Sequence, residues 1–175
     1  MESSSVLSTW LFTFTTYASW LHGDARGSVQ FDWRTKVAVP LPPNPALLQH
    51  ELRSLRDPPV TFDPEQRRVV RESIEQSCAF RGWNLLALNV LAQHVHSVCS
   101  AAAKPKRVLN DWKVYATRRL VERGLIPQGT AVWTRGGNIV ALPSERVLRA
   151  ACAYVLEGQG SSLCTARPDL GVING

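Results

Sequence analysis

The sequence predicts an α+β fold, an antiparallel sheet with helices laid across it. Short runs rich in β-branched and aromatic residues, such as STWLFTFTTYASW at 8–20, are interspersed with longer segments whose apolar residues recur at helical spacing. Two of the strand-like runs follow one another directly, which departs from strict β-α alternation and favours an antiparallel sheet. With 175 residues, 45% of them hydrophobic, the chain is long enough for one domain with a buried core.

The first strand is expected near Thr9 to Tyr17, and the glycines of LHGDARGSVQFD end it. Residues 37–62, which hold VPLPPNP and DPPV, read as a long proline-rich loop with one helical turn around Leu47 to Leu55. DPEQRRVVRESIEQSCAFRG is a punctuated helix: Asp63 caps it, Pro64 takes the first turn and Gly82 follows its end. Val70, Ile74 and Cys78, flanked by Ser73 and Ser77, give its buried side. WNLLALNVLA is a continuous apolar strand, and HVHSVCSA is a second one at once after it. VLNDWKVYATRRLVERG is the next helix, with Leu109, Trp112, Ala116 and Leu120 on one stripe and Gly124 as its stop. AVWTRGGNIVAL reads as a hairpin turning at Gly136–Asn138. SERVLRAACAYVLEG is a last helix capped by Ser144, with Leu148, Ala151 and Val155 inward, and 161–175 reads as a tail. In sum the order is β-α-β-β-α-β, a ferredoxin-like sheet with helices on one face and an added C-terminal helix.

Charge narrows the partners. The net charge is +6, and between Ala101 and Leu125 seven Lys/Arg stand against Asp111 and Glu122, a net +5. Such a run is commonly a solvated face, but its position immediately downstream of the histidines at 94 and 96 points to an anion, foremost nucleic acid. The four cysteines are scattered with no C-x-x-C, which argues against a cysteine zinc site and fits reduced thiols in a cytoplasmic protein. No window approaches a transmembrane span, so no membrane partner is expected.

NVLAQHVHSVCS places two of four histidines at alternate positions of one strand. His94 and His96 therefore share a face, ~7 Å apart, while Cys99 faces the other way. Two imidazoles are either buried, hydrogen-bonded core groups or an incomplete metal site that needs further donors. Three tyrosines are available as a nucleophile: Tyr17 at the end of the first strand, Tyr115 on the basic helix, and Tyr154 at the border of the last helix's stripe.

LNVLAQHVHSV resembles the His-hydrophobe-His strand of the HUH endonucleases, and the order after it is similar to their single-tyrosine transposases, including REP-associated ones. DWKVYATRRL resembles their Lys-bearing basic helix, VWTRGG the short strand after a Trp, and AYVLEGQG the tyrosine helix. The similarity spans roughly 8–160, so 1–160 is taken as one domain. It implies that Tyr154 attacks a phosphodiester of single-stranded or hairpin DNA, giving a 5′-phosphotyrosine and a free 3′-OH. It also implies a divalent cofactor, Mg²⁺ or Mn²⁺, on His94 and His96. In the family an amide follows the tyrosine by four positions; here that position is Gly158 and the amide is Gln159, a swing of ~100° on a continuous helix. Gln159 or Asp24 is then the candidate third ligand. Lys113, Arg118 and Arg26 are the candidate phosphate contacts. Relatives act as monomers or as homodimers with shared sites. A catalytically inactive DNA-binding relic is the rival reading. A histidine-triad hydrolase is excluded, because the third alternate position is Val98.

Overall fold

In the computed structural model, which describes residues 7–25, 28–32, 37–157 and 163–166, the alternation of STWLFTFT becomes strand β1 (Ser8–Thr15). Its Phe12 and Phe14 are buried among the helices, and its threonines take the opposite face. Strand β4 (Asn84–Val90), β5 (His94–Ala101), β6 (Asn138–Ala141) and β7 (Leu163–Ala166) complete an antiparallel sheet in the order β6-β1-β5-β4-β7. Its first four strands are the predicted ferredoxin-like arrangement. Residues 163–166, read from the sequence as tail, add the edge strand β7 beside β4.

Helix α2 (Pro64–Arg81) has the expected punctuation. Asp63 and Gln66 form a capping box, and Gly82 closes the helix in the left-handed conformation at φ 66°. It packs with α3 (Pro105–Glu122) on one face of the sheet, where Ile74, Leu109, Trp112 and Leu120 meet Phe12, Phe14 and Val95. Helix α4 (Glu145–Glu157) takes the other face, setting Ala151, Cys152 and Val155 on Leu86, Ala87 and Val98. A register shift between Leu85 and Ala87 lets the successive residues Leu86 and Ala87 both join that cluster.

Two expectations are corrected. The proline-rich stretch is not a long loop: strand β3 (Val37–Leu41) pairs with β2 (Ser28–Asp32), and a full helix, α1 (Pro45–Ser54), follows. The prolines are compatible because Pro40 lies in a two-stranded ribbon and Pro45 opens the helix, where an N–H is dispensable. Nor does 131–142 form its own hairpin. Trp133 bridges Thr16 while β6 pairs with Trp10–Thr13, so both parts run along β1, interrupted by a loop at 135–137. Lys113 accounts for that loop, because its ammonium binds the carbonyls of Thr134 (2.8 Å) and Gly136. Among the described residues, no helix is long and apolar enough to cross a membrane.

Candidate functional site

The face covered by α4 carries the polar residues. Cross-strand register sets Thr13 opposite His96, Thr15 opposite His94, and Asn89 opposite His96 on its other side. The two imidazoles stand edge to face with ring centres 5.0 Å apart. His96 is only 5% exposed, and Thr13 Oγ1 lies 3.0 Å from its Nδ1. Burial first, and His94 second, lower the His96 pKa to about 4. It is therefore neutral near pH 7, the form that offers a ring lone pair to a metal or a proton. When Nδ1–H donates to Thr13, that lone pair is on Nε2.

Tyr154 sits in the last turn of α4, and its ring centre is 5.5 Å from that of His96. At 46% exposure its ring is open to solvent and so to a substrate. Fully buried Asn89 donates from Nδ2 to the Val155 carbonyl at 3.0 Å. Carbonyls in a helix's last turn lack intrahelical partners, so this bond holds the turn bearing Tyr154 against the sheet. Thr13, Thr15, Gln93 and Trp20 join the two histidines and the tyrosine around a cleft of about 290 Å³. One chain supplies all of them.

The other sequence candidates lie elsewhere. Tyr115 is on the far side of the sheet, its hydroxyl 3.4 Å from Gln76 Oε1 in the groove between α2 and α3. Lys113, expected on phosphate, is 9% exposed and committed to the 134–136 carbonyls, with its Nζ over the Phe14 ring. Arg118 is exposed but on the α2/α3 side, paired with Glu122 at 2.8 Å. Arg119 shares Glu122, and Arg123 reaches Glu72, so the basic run faces away from the histidines and much of it is ion-paired. Lys113 and Arg118, expected on phosphate, are therefore not among the residues around the histidine cleft. Gln159 and Arg26 lie outside the described residues, and Asp24 does not line the cleft. Cys99 is buried in the helical core, its pKa raised by a hydrogen bond with Cys78 and by burial.

Thr13, Asn89 and Trp20 were not singled out by the sequence reading. The Thr/Phe alternation of β1 does put Thr13 on the face away from the core, but the register that brings it to His96 is a tertiary fact. Among the described residues no group of three or more His, Cys, Asp or Glu is placed to hold a metal. Two adjacent imidazoles, of which His96 is neutral near pH 7, are nonetheless a suitable partial donor set for a divalent ion. The buried Asn89 Oδ1 also has no partner among the described residues.

No family model matches the chain, and no curated protein is similar to it. A solved REP-associated tyrosine transposase bound to a REP hairpin is similar in structure at 12% identity, with a TM-score of 0.48. The match covers 85% of this chain and 64% of that one, so the chain spans under two thirds of that protein's length.

Proposed function

We propose that the protein is a transposase-like nickase and strand transferase that acts on single-stranded or hairpin DNA through Tyr154. The observation that carries this reading is the exposed phenol beside two strand-borne histidines in one cleft. A free phenol has a pKa of ~10 and is only about a thousandth ionised at neutral pH, so it needs a positioned acceptor or a neighbouring cation. In the proposed step Tyr154 Oη bonds to phosphorus, the P–O3′ bond breaks, and the phenolic proton passes through an acceptor in the cleft to the departing 3′ oxygen, which leaves as a hydroxyl. Thr13 fixes the His96 ring, and Asn89 fixes the turn that aims the phenol. His94 and His96 would hold the divalent ion, with Gln159 as a further donor. When bound, such an ion neutralises charge on the phosphoryl oxygens.

A second reading, an inactive DNA-binding relic, is favoured by the lack of a third His, Cys, Asp or Glu beside the pair among the described residues. Incubation with Mg²⁺ or Mn²⁺ and hairpin oligonucleotides labelled at the 3′ end separates the two. The catalytic reading expects nicked strands and label carried by the protein on a denaturing gel. Hairpin binding without either product, across both metals, supports the relic instead.

A further inference from the structure

Trp20 stands on the rim between the histidine cleft and a second cleft of about 490 Å³. The second cleft is lined by Tyr17, Trp133, Leu55, Arg56 and Arg135, and its volume is within the ~300–1,000 Å³ typical of small-ligand sites. The Trp20 side chain is 56% exposed, so part of its ring faces solvent at that rim. The backbone that presents it is strained and firmly held. Ala18 has a positive φ of 55°, a conformation that a residue with a Cβ rarely adopts.

The neighbouring residues pin that turn on several sides. Thr16 N–H donates to the Gln93 carbonyl (2.9 Å), Tyr17 N–H to the Val132 carbonyl (2.8 Å), and Val60 N–H to the Tyr17 carbonyl (3.0 Å). Strain kept in place by its surroundings, next to an exposed aromatic, is a feature of ligand clamps. The cleft also holds cationic groups. Arg56 is paired with Asp57 at 2.9 Å, whereas Arg135 is exposed and has no ion-pair partner among the described residues. An aromatic face with an unpaired guanidinium beside it matches the two halves of a nucleotide, a base to stack and a phosphate to neutralise.

We propose that Trp20 is the stacking platform for the nucleotide next to the reacting phosphate, and that Arg135 binds that nucleotide's phosphate. The assignment rests on the DNA reading above and extends it from the cleaved bond to the flanking base. A strand whose scissile phosphate lies at Tyr154 then continues across Trp20 into the second cleft. The stack is sequence-tolerant, because every base offers a π face.

The test uses the full chain and two fluorescein-labelled probes read by anisotropy: a dT 20-mer and a 20-unit abasic phosphodiester backbone. Trp20→Ala is expected to weaken dT binding roughly tenfold while leaving the abasic probe unchanged, and Trp20→Phe to keep most of the affinity. Arg135→Ala is expected to weaken both probes and to reduce the salt slope by about one. Wild-type-like dT binding by Trp20→Ala overturns the assignment, and so does an equal loss on both probes. The outcome is separable from that of the nucleophile. A covalent adduct with no Trp20 effect leaves the tyrosine reading standing and removes the stacking platform. A base-dependent Trp20 effect without an adduct does the reverse.

Discussion

The two faces of the sheet use the same strands for different ends. Toward α2 and α3 the strands present Phe12, Phe14, Leu88, Val90 and Val95, and every one of these is buried among apolar neighbours. Toward α4 they present Thr13, Asn89 and His96 beside the smaller cluster of Ala87 and Val98. Burying an imidazole and an amide costs stability unless each finds partners, and Asn89 Oδ1 has none among the described residues. A fold whose other face is a well-filled apolar core has no packing need for this second arrangement, so the polar face is better explained by chemistry. The tyrosines follow the same division. Tyr115 borders the helical groove with Gln76, whereas Tyr154 stands in the cleft with His96.

The largest expected effect breaks the polar face outright. His94→Ala and His96→Ala should each lower metal-dependent strand cleavage by at least ~100-fold, on the scale of losing one charge-stabilising group. DNA affinity should change only a few-fold, measured by anisotropy on the same hairpin. Loss of the folded circular dichroism spectrum in either variant would instead make the histidines packing residues.

A second prediction concerns pH. The His96 pKa is about 4 in the folded protein against 6.5 ordinarily, so between those values the unfolded chain binds the extra proton. The contribution is fully present above pH 6.5 and is lost as pH falls through 4, by up to about 3 kcal/mol. Urea unfolding of the metal-free protein at pH 7 and pH 4.5 should therefore show a smaller drop in His96→Gln than in the wild type. Equal drops would mean that His96 titrates like a solvated histidine.

The third prediction tests the opposite face. Lys113→Met leaves the Thr134 and Gly136 carbonyls without their donor and should cost about 1–3 kcal/mol of stability, with hairpin affinity unchanged. Full stability combined with weakened DNA binding would return Lys113 to the phosphate backbone.

Much of this contrast was legible in the sequence, and what was missed has a physical cause. Local signals are short-range: the Asp63 cap, the Gly82 stop and the Leu109–Trp112–Ala116–Leu120 stripe each need only a few neighbouring residues, and all are found as read. The shared face of His94 and His96 follows from strand geometry alone. The fate of Lys113 does not, because a lysine in a basic run looks the same whether it meets solvent, phosphate or a pair of loop carbonyls. The proline-rich segment misled for a related reason: Pro40 and Pro45 occupy positions that tolerate a missing N–H, and such positions are defined only once the ribbon and helix exist. Thr13 and Asn89 become site residues through register, which no single strand encodes.

In the proposed reaction the phenol on the polar face, and not the one in the helical groove, bonds to DNA. The most direct measurement is the protein-linked label formed from a 3′-labelled hairpin oligonucleotide with Mn²⁺, compared between Tyr154→Phe and Tyr115→Phe. Each change removes one oxygen and leaves the ring in place. Tyr154→Phe should give no adduct and Tyr115→Phe a near wild-type yield. An adduct that persists in Tyr154→Phe and disappears in Tyr115→Phe would contradict this assignment.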